Sequence, residues 1–182
     1  MNNSELETLI RNILREQLVP ATPRMQRNAI FQTVDEAVCA AHQAFLRFQQ
    51  CPLKTRSAII SAIREELIPR LTELAEESAK ETGMGNKEDK YLKNKAALDN
   101  TPGIEDLTTT ALTGDGGMVL FEYSPFGVIG SVTPSTNPTE TIINNSISML
   151  AAGNSVYFSP HPGAKYVSLK LITTIEDIAF RC

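Results

Sequence analysis

Apolar residues recur at helical spacing along this chain as far as about Asn100, and at mixed strand and helix spacing beyond it. Near the start, Leu6, Leu9, Ile10, Ile13, Leu14 and Leu18 fall on one face of a helix that Ser4 and Glu7 open with an S-x-x-E capping box. The following VPATPRMQRNA has two prolines and no apolar period, so residues 19–32 read as a linker. A second capping box, Thr33 with Glu36, starts a helix whose apolar face is Val34, Ala37, Val38, Ala41, Ala44, Phe45 and Phe48, and Cys39 is assigned to the core with them. Pro52 suits a first helical turn, and the stripe Ile59, Ile60, Ile63 and Leu67 runs on until Pro69 forces a break. Leu71, Leu74, Ala75 and Ala79 follow, stopped by TGMGN, and a further helix with Tyr91, Leu92, Ala96 and Leu98 runs toward Asn100.

After Pro102 the pattern changes. GMVLFEYSPFGVIGSVTPS reads as two strands around Ser124 and Pro125, followed by a helix from about Pro138 to Ala152, the strand SVYFS, and an amphipathic helix from Gly163 onward. Val167, Leu171, Ile172, Ile175 and Ile178 give that last helix its apolar face. A strand, a helix and a second apolar strand at this spacing predict a right-handed parallel βαβ unit, the seed of a doubly wound sheet. Two parallel strands do not make a stable sheet, and the last helix reaches the C-terminus without a cap, so the chain reads as cut short. GDGG at 114–117 suits a glycine turn before a hairpin better than a phosphate loop.

Composition narrows the classes. The chain is 42% hydrophobic and 21% charged with net charge −4, which suits an ordinary globular protein and offers no electrostatic case for nucleic acid. The densest basic stretch, KEDKYLKNK, mixes both signs and reads as a solvated helix face. No apolar run approaches the ~18 residues of a membrane span, and a cytosolic protein is expected. Residues 1–100 hold 28 of the 38 charged side chains, whereas all ten glycines lie from Gly83 on, which separates exposed helices from strands and tight turns. Cys39, Cys51 and Cys182 are too few and too irregularly spaced for a disulfide framework or a zinc site, His42 reads as a surface histidine, and no metal is expected. The stripe in residues 1–18 is short enough to be marginal alone, so it orders when docked, either on its own domain or on a partner. A membrane surface suits it less, because its polar face mixes Glu5, Glu7 and Glu16 with Arg11 and Arg15.

The stretch SVTPSTNPTETI places Asn137 at a strand-to-helix turn, where open α/β sheets bind ligands, with neither a phosphate-loop lysine nor a GxGxxG. From the residues alone, Asn137 caps the helix, with Pro138 at N1 and Glu140 at N3. Capping uses the side-chain oxygen and leaves the amide NH₂ free to donate.

These residues carry a resemblance. SPFGVIGSVTPSTNPTETIINNSISMLAAGNSVYFSPHPGAK is similar to the first cofactor-domain strand, helix and strand of the aldehyde dehydrogenase superfamily, whose shared pattern is P-x-G-V, an Asn-Pro turn, then A-A-G-N and an apolar strand. Ordinary members have a Pro-Trp-Asn turn and a Lys-Pro after the second strand. Here the turn is Pro134-Ser135-Thr136-Asn137 and Ser159 replaces the lysine, a variant that resembles the CoA-acylating branch. AFLRFQQCPLKTRSAIISAIREEL and ALDNTPGIEDLTTTALTGDGGMVLFEYSPFGVIG extend the similarity over the whole chain, toward the members that serve propanediol-utilisation microcompartments on propionaldehyde. The implied fold is α/β, with N-terminal helices followed by the first part of a Rossmann-like NAD-binding parallel sheet. Its implied parts are an encapsulation-type helix at 1–18, a linker at 19–32, a helical part at 33–112, hairpin and oligomerisation strands at 113–125, and a partial cofactor-binding domain at 126–182.

The resemblance also implies a reaction, in which a short aliphatic aldehyde (propionaldehyde or acetaldehyde), CoA and NAD⁺ give acyl-CoA and NADH through a cysteine thiolate. Asn137 then matches the family's oxyanion amide donor, helped by the dipole of the helix that follows. Nucleotide contacts fall at Thr133, Pro134, Ser135 and Thr136, and at Ser159, Pro160, His161 and Pro162. Without a lysine at 159, hydroxyls and an open helix terminus near Gly163 are expected to hold the adenosine end, while His161 either touches phosphate or turns the chain. The family's nucleophilic cysteine lies beyond position 182, so none of the three cysteines takes that role and this segment alone is expected to be inactive. The competing reading is a shell-targeting fragment without chemistry. Leu6, Leu9, Ile10, Ile13 and Leu14 are implied to dock on a microcompartment shell protein in the bacterial cytoplasm. A homo-oligomer is implied through arms that include the hairpin near 118–124.

Overall fold

The computed structural model describes residues 29–182, and the stripe of residues 1–18 with most of the linker lies outside them. Four helices come first: α1 (Val34–Phe48), α2 (Leu53–Leu67), α3 (Leu71–Thr82) and α4 (Lys87–Asn100). A hairpin of β1 (Thr110–Gly114) and β2 (Gly117–Phe121) follows, and then the unit β3 (Val128–Thr133), α5 (Pro138–Ala151), β4 (Ser155–Pro160) and α6 (Lys165–Arg181).

Each start and stop has a local cause. The Thr33 hydroxyl accepts from the Glu36 N–H while the Glu36 carboxylate accepts from the Thr33 N–H, both at 3.3 Å, which closes the capping box of α1. Pro69 confines the chain to one 3₁₀ turn, Ile68–Arg70, between α2 and α3. Gly83 ends α3 in the left-handed region at φ 64°, a conformation glycine adopts without steric cost.

The core lies among the helices. Ile59, Ile60, Ile63 and Leu67 of α2, Leu71 and Leu74 of α3, and Val167, Leu171, Ile175 and Ile178 of α6 are buried, as their spacing predicts. Ile142, Ile143, Ile147 and Ala151 of α5, Leu98 of α4 and Ala164 belong to the same cluster. Cys39 is not part of it. Its side chain is exposed, because α1 turns Ala41 inward, whose carbonyl accepts from the Ser155 hydroxyl at 2.7 Å. Two residues of helix are about 200° of rotation, which puts Cys39 on the opposite side.

The reading of KEDKYLKNK as a solvated helix face fits Lys87, Glu88, Asp89, Lys93 and Lys95, which are exposed, but needs correction at Lys90 and Asn94. In α4 the inward line is Lys90, Asn94 and Leu98, which are 3%, 0% and 1% exposed, whereas Leu92 is 61% exposed. These inward residues are four apart and share one face. The hairpin differs from expectation as well. β2 pairs antiparallel with Thr110–Gly114, in register from Thr110 opposite Phe121 to Gly114 opposite Gly117. GDGG is therefore the hairpin turn, and TALTG is a strand that the apolar pattern does not reveal, since every residue of β1 and β2 is exposed.

β3 and β4 are parallel, with Val128 opposite Ser155 and Thr133 opposite Pro160. Side chains alternate along β4, so Ser155 faces α1 while Phe158 packs on the helical core from the other face. The AAGN stretch joins α5 to β4. Gly153 takes φ 81° there, and the Asn154 side-chain oxygen accepts from the Gly127 N–H at 2.9 Å, which ties this turn to the start of β3.

Candidate functional site at the ends of the parallel strands

Both parallel strands end at the same edge. The His161 N–H donates to the Thr133 carbonyl at 3.0 Å, and Ser135 lies against Gly163, so the turns after β3 and β4 are neighbours. The structure thus brings together the residues at 133–136 and 159–162. Their exposure differs. Pro134, Thr136, Ser159, His161 and Pro162 are exposed, Ser135 and Pro160 are half-buried, and Thr133 is buried with no hydrogen-bond partner for its hydroxyl among the described residues.

Asn137 stands at the N-cap position of α5, yet its side chain makes no cap. Its oxygen instead accepts from Lys93 Nζ at 3.2 Å. The expected side-chain cap is therefore absent, because the φ −135°, ψ 59° backbone and the lysine draw the amide toward α4. The Asn137 carbonyl still starts the helix, accepting from the Thr141 N–H at 3.2 Å and the Thr141 hydroxyl at 2.6 Å. Since an ammonium group can only donate, the amide oxygen must face Lys93, and among the described residues the NH₂ is left as a free donor.

This side chain opens onto a cleft of about 380 Å³ between α4 and α5, lined by Lys93, Ala97, Asn137, Glu140, Thr141, Asn144 and Asn145. A second cleft, between α3 and α4, contains none of the predicted site residues. Glu140 is 8% exposed; one carboxylate oxygen accepts from the Thr139 hydroxyl at 3.2 Å and the other has no partner among the described residues. Lys90 reaches the same turn from beneath, its Nζ donating to the Thr136 carbonyl at 3.1 Å.

At the second turn, His161 Nδ1 accepts from the Gly163 N–H at 3.0 Å, so His161 turns the chain and carries its ring proton on Nε2. The open helix terminus expected near Gly163 is closed. Glu81 takes it, its two carboxylate oxygens accepting from the N–H groups of Tyr166 and Val167, each at 2.8 Å. A carboxylate is the natural occupant of a helix N-terminus, and it repels a phosphate from that place. Among the described residues no group of His, Cys, Asp and Glu could hold a metal ion. No helix among them is long and apolar enough to cross a membrane.

Glu81, Lys90 and Lys93 were not singled out from the sequence, and Glu140 only as the N3 residue of α5. For Lys90 and Lys93 the sequence offers only two lysines at helical spacing, and nothing local shows that this face turns inward. For Glu81 there was no signal, because its partners lie more than eighty residues away.

Residues 22–180 match the model of the aldehyde dehydrogenase family. The chain is 85% identical, over its full length, to propanal dehydrogenase (CoA-propanoylating) of Citrobacter freundii, of which it spans 40%. A crystal structure of Rhodopseudomonas palustris propionaldehyde dehydrogenase, with bound CoA and an acylated cysteine, superposes with a TM-score of 0.82 at 50% identity, over 84% of this chain and 35% of that one. A mutant of the propionaldehyde dehydrogenase from the Clostridium phytofermentans fucose utilisation bacterial microcompartment gives 0.81 at 45% identity, with the same coverage of 84% and 35%. The chain thus spans about two fifths of the length of its curated relatives.

Proposed function

The chain belongs to the aldehyde dehydrogenase family, and we propose that it is the N-terminal part of an NAD-dependent, CoA-acylating enzyme that converts propionaldehyde to propionyl-CoA inside a bacterial microcompartment. The observation that carries this reading is the Asn137 amide, which is held off its own helix with the NH₂ free at the ends of two parallel strands. A donor in that position suits an aldehyde oxygen that gains negative charge as its carbon is attacked. The N-terminus of α5, left without a side-chain cap, adds the positive end of its dipole to the same region.

The two turns suit a nucleotide or CoA. Exposed hydroxyls of Thr136 and Ser159 and the outward Nε2–H of His161 are donors for phosphate and ribose oxygens, and the polar contacts shift to these groups because Glu81 closes the α6 terminus. When bound, the nicotinamide supplies the hydride acceptor and CoA the acyl acceptor. Cys39, Cys51 and Cys182 all lie outside the strand-turn-helix unit and outside the cleft. Residues 1–182 alone are accordingly proposed to be inactive. Residues 1–18 supply the shell address, and the exposed apolar hairpin, with Leu112, Met118, Val119, Leu120 and Phe121 each more than half exposed, supplies an oligomer contact.

The test joins residues 1–182 in frame to the remainder of the 85% identical propanal dehydrogenase. This completed enzyme should form NADH from propionaldehyde only when CoA is present, and residues 1–182 alone should form none. CoA-independent turnover, or activity of the segment alone, overturns the proposal.

A further inference from the structure

Two lysines one helical turn apart on α4 reach consecutive residues of the Asn137 turn. Lys90 Nζ donates to the Thr136 carbonyl at 3.1 Å, and Lys93 Nζ donates to the Asn137 amide oxygen at 3.2 Å. Lys90 is buried and holds the backbone from below, whereas Lys93 meets the side chain at the mouth of the cleft.

An asparagine at the N-cap ordinarily turns its oxygen inward to accept from the first free N–H groups of its helix. Asn137 does not, and Lys93 holds the oxygen that would do so. The side chain therefore has two competing arrangements. In one, Oδ1 caps α5 and the NH₂ is swung out of place; in the other, Oδ1 faces Lys93 and the NH₂ is available to a substrate.

We propose that Lys93 is a positioning residue, which keeps the Asn137 oxygen off the α5 terminus so that the amide NH₂ stays turned to the reacting oxygen. The inference rests on the reading of Asn137 as oxyanion donor. It has a signature that a purely structural role lacks. Loss of Lys93 releases Asn137 to cap α5, so stability holds or rises while catalysis falls.

The experiment uses the completed enzyme with Lys93→Met, Lys93→Arg, Asn137→Ala and the Asn137→Ala/Lys93→Met pair. Lys93→Met should lower kcat about tenfold with the KM values for aldehyde, NAD⁺ and CoA within about twofold, since only a misaimed donor is involved. Its melting temperature should be unchanged or higher, and Lys93→Arg, which still donates, should recover most of the rate. On the Asn137→Ala background Lys93→Met should add nothing, because the group it positions is gone. Lys93→Ala, with the strongest helix propensity, gives the same prediction should the Met variant fold poorly. Wild-type kcat for Lys93→Met beside an impaired Asn137→Ala overturns the inference and spares the oxyanion reading, as does an equal loss in both backgrounds. Wild-type turnover by Asn137→Ala overturns both.

Discussion

Glu81 Oε2 accepts a hydrogen bond from the Val167 N–H at 2.8 Å, across 86 positions of sequence, and so fastens the end of α3 to the beginning of α6. The other carboxylate oxygen accepts from the Tyr166 N–H. One side chain thereby satisfies two donors that α6 cannot satisfy itself, and it places a negative charge at the positive end of the helix. Glu81→Ala should cost about 1 kcal/mol of stability, and Glu81→Gln less, because the amide oxygen still accepts one bond. Urea unfolding of the three chains measures this. Equal midpoints for Ala and wild type would show that α6 does not depend on the contact.

Asn137 separates catalysis from stability. In the completed enzyme Asn137→Ala should lower kcat by about 10²- to 10³-fold with little change in aldehyde or NAD⁺ binding, because charge on the aldehyde oxygen develops only in the transition state. Its stability should fall by less than the roughly 1 kcal/mol of a lost cap, since the side chain makes no cap bond. Asn137→Asp should keep or gain stability by pairing with Lys93 and the α5 dipole, and should still be as slow as Ala, because a carboxylate repels the oxyanion. If the Asp variant turns over like wild type, Asn137 is no oxyanion donor.

The apolar stripes of α2, α3 and α6 were legible because burial there follows the helical period, and Ile63, Leu67 and Leu171 are wholly buried. The strand-helix-strand unit was legible for a similar reason: its turn residues, from Pro134 to Asn137 and at Gly153, sit where the apolar pattern changes. α4 misled. Its inward residues Lys90 and Asn94 are polar, and only the tertiary placement of the Asn137 turn beside them turns that face inward. β1 was hidden because a strand exposed on both faces has no reason to alternate. Asn137 was recognised as a candidate, but its partner was not, because Lys93 lies 44 positions away and no local rule links the two.

Residues 1–18 lie outside the described residues, and the amphipathic stripe makes a prediction independent of the fold. Fused to a fluorescent protein, they should co-purify with microcompartment shells, and changing Leu9 and Ile13 together to Glu should abolish this, because both belong to the apolar stripe proposed to dock. Retention of the double variant inside shells would sink the docking reading. A helix that orders on binding should also gain helical circular dichroism when shell protein is added.

Lys170 of α6 bridges Glu73 and Glu77 of α3, with Nζ at 2.6 Å from a carboxylate oxygen of each. The hydrogen bond to Lys170, then its charge, holds the Glu73 carboxyl below its ordinary 4.5. The bonds to Glu73 and Glu77 hold Lys170 above its ordinary 10.5. A lowered carboxyl stabilises the fold above its ordinary value and loses that effect as pH falls through the folded one; a raised lysine stabilises below its ordinary value and loses the effect as pH rises through the folded one. The bridge therefore acts in the window between the two, and all three side chains are exposed enough for salt to weaken it. Lys170→Met removes the cation and leaves Glu73 and Glu77, one helical turn apart, to repel each other. The variant should melt below wild type near neutral pH, and the difference should shrink in high salt. It should also shrink in acid: as pH falls through the lowered Glu73 value, that carboxyl takes up its proton and its half of the bridge is lost. A gap of the same size near neutral pH and in acid would mean that Lys170 contributes through its packed stem rather than through its charge.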